Sequence, residues 1–377
     1  MALSMLGAIH VPIYPTLNPS EYTVIINHSD AKVVVIGIQS IYNRVAPIMD
    51  QLIHKPAIYT LDKIGNEKEL YEILKLGILS RKKNADIVNE IKSTILPNDV
   101  ATIIYTSGTT GDPKGVMLSH RNIISNFTAH AEAQPLNHNH RIVSFLPLCH
   151  IYERSMNYEY QYLGVSIYYA ESLATIAADI LEVKAHGFCA VPRILEMIYD
   201  KLIAAGKDLS GIKKVTYFLS IHHGHRYDLH KGFWYKFWQK LFDKLVYAKW
   251  REKFGGNRMA IVCGSSAVRD KIVRLFHAAG LEIYEGYGLS ETSPVISVNS
   301  ATTNQVKIGT VGPILKGVEV KLADDGEILT KGPSLMLGYY KDPEYTKQVI
   351  DSDGWFHTGD IGIFVDNKYL KITDRKK

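Results

Sequence analysis

The chain has 377 residues, enough for one large α/β domain or two to three smaller ones. A composition of 46% apolar and 21% charged residues excludes disorder, collagen and a disulfide-stapled miniprotein. The net charge of +5 is too small to imply a nucleic-acid partner, although it suits an anionic small molecule.

Residues 1–14 are apolar but lack a basic leader, so they read as a buried helix running into turns at Pro12, Pro15 and Pro19 rather than as a signal peptide. No window has the apolar length of a membrane span. β-Branched and aromatic runs predict buried strands at 33–37, 101–105, 142–146, 165–169, 188–191 and 259–263. Helical spacing predicts helices at 41–53, 122–132 and 194–205. Strands alternating with helices predict an α/β fold of covered, mainly parallel sheets. The cysteines Cys149, Cys189 and Cys263 stand far apart in apolar runs. They read as buried free thiols of a reducing, cytoplasmic compartment. Beyond about residue 300, Asp324-Asp325-Gly326 and Asp366-Asn367-Lys368 each separate two short apolar runs, a hairpin pattern. The expected organisation is an α/β part, 1–300. A β-rich subdomain, 301–377, follows it.

The sharpest chemical signal is Tyr105-Thr106-Ser107-Gly108-Thr109-Thr110-Gly111-Asp112-Pro113-Lys114-Gly115. It follows a predicted strand and precedes a predicted helix for which Ser119 is the cap. Glycines let the backbone approach an anion closely. The hydroxyls and N–H groups donate to it, and Lys114 supplies charge. The spacing is not that of a Walker A loop, because Asp112-Pro113 separate Gly111 from Lys114. That disfavours a P-loop kinase. A polar surface hairpin is the alternative.

The run YTSGTTGDPKGVMLSH closely resembles the AMP-binding signature of the adenylate-forming enzymes. Four further segments agree in order. Phe145 to Arg154 (FLPLCHIYER) and Val191 to Glu196 (VPRILE) resemble segments of long-chain acyl-CoA synthetases. Tyr284 to Thr292 (YEGYGLSET) resembles the family's YGxTE motif, and Gly354 to Asp360 (GWFHTGD) its GWxxTGD motif. The resemblance covers nearly the whole chain. It implies the large N-terminal domain of such an enzyme, without the small C-terminal domain that follows a hinge near Asp374-Arg375-Lys376-Lys377. A chain shortened at both ends, able to bind nucleotide but poorly active, is the expectation.

In that family a carboxylate attacks the α-phosphorus of ATP, giving an acyl-adenylate and pyrophosphate, and the thiol of coenzyme A then displaces AMP. The resemblance assigns the phosphates to Thr106, Ser107, Gly108, Thr109, Thr110, Gly111 and Lys114. It assigns Mg2+ to Glu291, the α-phosphate to Ser290 and adenine to Tyr287-Gly288 and the loop Gly264-Ser265-Ser266. Asp360 and Arg375 are assigned to the ribose, and His150 lies near the fatty-acid carboxylate. The family usually has Gly-Gly-Ala where this chain has Gly264-Ser265-Ser266. Lys114, Glu291 and His150 are the candidate catalytic residues. Read without the resemblance, Ser290 is a helix cap, Asp360 an Asx-turn and His150 a structural histidine. An acyl-AMP ligase serving a carrier protein and a non-catalytic nucleotide- or lipid-binding module stay open as alternatives.

Three other features remain. Glu153 and Arg154 are placed to form an ion pair. His222, His223, His225 and His230 lack the spacing of a metal site and read as a polar loop. Between Phe233 and Trp250 the residues Trp234, Trp238, Leu241 and Leu245 form a helical stripe with lysines interleaved. Such a helix either walls the protein body or lies on the inner face of a membrane.

Overall fold

The computed structural model describes residues 2–84, 86–107, 113–229, 231–303 and 305–376. Within them, the first strands are β1 (Val33–Ile36), β2 (Ala57–Thr60), β3 (Lys68–Glu69), β4 (Val100–Ser107) and β5 (Pro113–Ser119). Then come β6 (Arg141–Ser144), β7 (Ser166–Tyr169), β8 (Gly187–Ala190), β9 (Met259–Cys263), β10 (Leu281–Gly288) and β11 (Val295–Val298). The set closes with β12 (Glu319–Leu322), β13 (Glu327–Lys331), β14 (Gly338–Tyr339), β15 (Phe356–Val365) and β16 (Tyr369–Arg375). The chain divides into two compact units, residues 1–122 with 336–346, and residues 123–335 with 347–377.

The first unit holds a parallel sheet, β1-β2-β3, and an antiparallel one, β14-β5-β4. Its core gathers Tyr22, Ile26, Ile36, Val45, Ile48 and Leu52. Two expectations fail here. The apolar run at 33–37 forms the edge strand β1, and only Ile36 of it is buried, with Val33 and Val35 half exposed. The start of the chain folds as a four-residue helix, Ala2–Met5, with no buried side chain. The predicted strand at 101–105 is half of an antiparallel hairpin, β4–β5, so the glycine loop joins two strands. The helix comes later, at His120–Ala133, and its start is doubly capped. The Asn122 N–H donates to Ser119 Oγ (3.1 Å) and the Ser119 N–H to Asn122 Oδ1 (2.8 Å), both residues buried.

The second unit is built on a sheet of order β11-β10-β9-β8-β6-β7, parallel except for β11. The inner strands β8 and β9 read as continuous apolar runs because both faces are covered, whereas β7, predicted to be buried, is an edge strand with Ser166, Tyr168 and Tyr169 exposed. Side chains alternate between two separate cores. Val143, Phe188, Ala190, Ile261, Cys263 and Ile283 enter one, and Ile142, Cys189 and Val262 enter the other. The two predicted hairpins form a four-stranded antiparallel sheet, β12-β13-β15-β16. Asp366 and Asn367, both at φ +52°, turn the second hairpin in the left-handed region that favours Asp and Asn in tight turns.

The histidine-rich segment is helical rather than a loop. His222 and His223 end the helix Gly211–Gly224, and His225 caps it, while His230 lies outside the described residues. Burial decides this, because Tyr217, Ser220, Ile221 and Gly224 of the same helix face inward. Of the thiols, Cys189 and Cys263 are buried and Cys149 is half-buried. No described helix is long and apolar enough to cross a membrane.

Candidate active site

Parallel strands all point the same way, so their carboxyl ends lie along one edge of the sheet. In open α/β sheets ligands bind outside that edge. Four sequence motifs leave it from neighbouring strands. β6 ends at Ser144 and runs into Phe145 to Arg154, and β8 ends at Ala190 and runs into Val191 to Glu196. β9 ends at Cys263 and gives the Gly264-Ser265-Ser266 loop, and β10 carries Tyr284 to Gly288 and leads to Ser290 and Glu291.

The loop after β9 is pinned at both ends. The Gly264 N–H donates to the Ala190 carbonyl (3.4 Å), and a Cβ on Gly264 would sit 3.7 Å from the Tyr152 ring. Tyr152 is itself fixed, its hydroxyl donating to the Val262 carbonyl (2.9 Å). The Val268 N–H donates to Glu285 Oε1 (3.2 Å), and Arg269 pairs with Glu196 (3.3 Å), the acid of the VPRILE segment. Between these anchors Ser265 and Ser266 are exposed, and Ser265 is held at φ +79°. A side chain there is strained, which explains why glycine is the usual residue at this point in the resembling family.

Glu285 is buried, and its Oε2 has no partner. Burial, helped by Asp270 and opposed by the Val268 N–H, pushes its carboxyl up to about 7. Glu153 is also buried and likewise pushed up to about 7, chiefly by burial and against its hydrogen bonds from Ser144 and Asn157. It does not pair with Arg154, whose Nε donates to the Tyr158 hydroxyl one turn further along the helix Ile151–Tyr162. Consecutive helical residues point apart, so adjacency in sequence misleads here. His150 is exposed at the cap position of that helix.

After β10 the chain turns sharply. A Cβ on Gly288 would lie 1.8 Å from the Pro294 carbonyl oxygen, so only glycine fits. Ser290 opens a three-residue 3-10 turn, Ser290–Thr292, rather than capping a long helix. Asn126 clamps this turn from below. Its amide donates to the Thr292 and Val295 carbonyls (3.2 and 2.8 Å) and accepts from the Val295 N–H (3.1 Å). Glu291 is half-buried on that turn.

Tyr287, Asp360 and Arg375 come together although 88 residues separate the first from the last. The Tyr287 hydroxyl donates to Asp360 Oδ2 (2.7 Å), and Arg375 Nε lies 3.7 Å from Asp360 Oδ1. Antiparallel pairing of β15 with β16 sets Asp360 directly opposite Arg375. Burial, reinforced by Asp360, raises the Tyr287 phenol well above its ordinary range, so it stays a donor. Beneath them Glu327 holds the Gly359 N–H (2.9 Å), Lys376 (2.7 Å) and His357 (3.2 Å). The sequence reading missed Glu327 and Glu285. An acid inside an apolar strand run was the available signal for both.

In the first unit, Thr106 pairs with Lys114 across the β4–β5 hairpin. Gly108, Thr109, Thr110 and Gly111 lie outside the described residues, and of Ser107 only the backbone is described. The Lys114 ammonium sits 3.1 Å from the centre of the Tyr345 ring. Among the described residues no group of three or more His, Cys, Asp or Glu is placed to hold a metal. One carboxylate, such as that of Glu291, suffices for a magnesium ion that arrives on phosphate oxygens and keeps most of its waters.

Two outcomes are expected. Ser265→Gly relieves the left-handed strain and raises unfolding stability by about 0.5–1 kcal/mol, measured by urea denaturation. A folded-state carboxyl raised above its unfolded value keeps a proton that the unfolded chain releases. Stability conferred below about pH 4.5 is therefore lost as pH climbs toward about 7. Glu285→Gln keeps the acceptor for Val268 and makes the fall in melting temperature between pH 5 and 8 shallower. An unchanged slope overturns the assignment.

The AMP-binding enzyme family model matches residues 1–340. The chain is 33% identical to long chain acyl-CoA synthetase 7, peroxisomal, of Arabidopsis thaliana, covering 98% of this chain and 55% of that protein. It is 30% identical to long-chain-fatty-acid–CoA ligase FadD15 of Mycobacterium bovis, covering 100% of this chain and 62% of that one. It thus spans a little over half the length of these curated relatives. Among solved structures, the N-terminal domain of FACL13 from Mycobacterium tuberculosis superposes with a TM-score of 0.68 at 22% identity, covering 99% of this chain and 81% of that one. That likeness establishes the fold, an α/β domain like the N-terminal domain of FACL13. The chain belongs to the AMP-binding enzyme family, and these curated relatives are named as long-chain acyl-CoA synthetases or ligases.

Proposed function

We propose that this chain binds ATP and a long-chain fatty acid for the activation of the acid through an acyl-adenylate toward acyl-CoA. The observation that carries the reading is the Tyr287–Asp360–Arg375 constellation. A carboxylate accepts both hydroxyls of a ribose. Tyr287 fixes one of its oxygens while offering a ring face to adenine, and Arg375 holds charge beside the sugar. The exposed Ser265-Ser266 edge and Gly264 take the other side of the base. Thr106 to Lys114 take the β- and γ-phosphates, and Ser290 donates to the α-phosphate. His150, at the head of its helix, orients the fatty-acid carboxylate. Magnesium, held through Glu291, would neutralise phosphate charge when bound. Coenzyme A is the expected acceptor in the second half-reaction.

A second reading adds a membrane surface, favoured by the helix Phe233–Phe242. Phe233, Trp234, Phe237 and Trp238 are exposed on it, with Leu241 and Leu245 continuing the ridge. Lys236, Lys240 and Lys244 are exposed alongside, while Phe242, Val246, Tyr247 and Trp250 fill the core. The core thus uses a different set of side chains from the predicted stripe, and the stripe is left outward. Exposed aromatics flanked by lysines suit an anionic lipid interface.

Calorimetric titration with AMP and with a non-hydrolysable long-chain acyl-adenylate tests the first reading. The acyl form binds more tightly, and Asp360→Ala weakens both by about tenfold or more. Equal binding of AMP by Asp360→Ala and the unaltered chain would sink it. Co-sedimentation with vesicles containing anionic lipid tests the second, and Trp238→Glu reduces pelleting. Unchanged pelleting excludes the ridge as a lipid contact.

A further inference from the structure

We propose that Tyr345 is a positioning residue for Lys114, its ring holding the ammonium in place before a polyphosphate arrives; this rests on the phosphate-binding role proposed for Lys114. The Lys114 Nζ lies 3.1 Å above the Tyr345 ring centre and 5.9 Å from that of Tyr339. The two rings are neighbours, 5.1 Å apart and inclined by 43°. Among the described residues no carboxylate forms an ion pair with Lys114.

The difference between a ring and a carboxylate decides the function. A carboxylate would fix the lysine but cancel its charge. An aromatic face attracts the cation through its quadrupole and leaves the full positive charge available. An ammonium carries three donors, so a ring that takes one side leaves the others for phosphate oxygens. Lysine otherwise swings on a flexible four-carbon stem, and ordering that stem in advance removes a cost from binding.

The ring is aimed by the same strand that carries the lysine. The Tyr340 N–H donates to the Gly115 carbonyl (2.7 Å) and the Leu337 N–H to that of Met117 (3.0 Å), riveting the segment to β5. Asp342 then caps the helix Pro343–Val349, its Oδ1 accepting the Tyr345 N–H (3.0 Å). Thr346 Oγ1 accepts the Tyr339 N–H (2.9 Å) and donates to the Asp342 carbonyl (2.8 Å), locking strand to helix. The place of Tyr345 relative to Lys114 is therefore set by backbone bonds next to each.

The test is calorimetric titration of the chain with magnesium pyrophosphate. Tyr345→Leu weakens binding about five- to twenty-fold, whereas Tyr345→Phe, which keeps the aromatic face, stays within about twofold. Tyr345→Gln replaces the leucine variant if thermal melting shows that variant unfolded. In a Lys114→Gln background, Tyr345→Leu has no further effect, because the ring acts only through the ammonium. Unchanged or tighter binding by Tyr345→Leu, alongside weakened binding by Lys114→Gln, overturns the positioning role and leaves the phosphate reading intact. An equal loss in the Lys114→Gln background overturns it in favour of general packing. Wild-type affinity in Lys114→Gln itself removes the phosphate reading and the proposal together.

Discussion

The second unit depends on one constraint, the burial of both faces of a parallel sheet. A strand with covered faces sends successive side chains into different cores, as Cys189 and Val262 do against Phe188, Ala190, Ile261 and Cys263. A slip of one residue would exchange the two cores wholesale. Register is therefore stiff, and so is the position of every strand's last residue. Function is placed just beyond that point, where the chain is free of the alternation. The loops after β6, β8, β9 and β10 carry four of the motifs because a rigid edge can hold short polar loops in a fixed geometry.

Holding those loops requires carboxyl groups inside the protein. Glu285 and Glu153 are buried acids with one oxygen each left unpartnered, a cost that ordinary core packing avoids. Each is tied to the edge. Glu285 grips the loop after β9, and Glu153 grips Ser144, the last residue of β6. Glu327 does the corresponding work in the antiparallel sheet, under the turn that presents Asp360. Ser265 adds backbone strain to the same region. Destabilising features that gather at one edge of an otherwise well-packed sheet mark where geometry has been favoured over stability.

The first unit solves a different problem with other means. Its glycine loop is the connection of an antiparallel hairpin, and its cation rests against an aromatic ring on a segment more than 220 residues later in the chain. The short strand β14 makes that return possible, pairing Tyr339 with Val116. Outside the site, the ridge from Phe233 to Leu245 shows apolar surface that the core does not use, because Val246, Tyr247 and Trp250 already fill the space beneath.

The sequence by itself determined the family, the motifs, the covered parallel sheet and both hairpins. Each is written in local signals: residue type at fixed spacing, apolar runs, and turn residues such as Asp366-Asn367. It pointed to Asp360 and Arg375, but through resemblance, since nothing local joins them. Tertiary structure alone decided which strands pair, and with that the antiparallel β4–β5 hairpin, the exposed edge strand at Val33, and the helix that absorbed the histidines. It alone turned Glu153 away from Arg154 and brought Tyr345 to Lys114. Periodicity reports which side of an element is apolar, but not what covers it. Contacts between distant segments depend on pairing and packing that no short window of sequence contains.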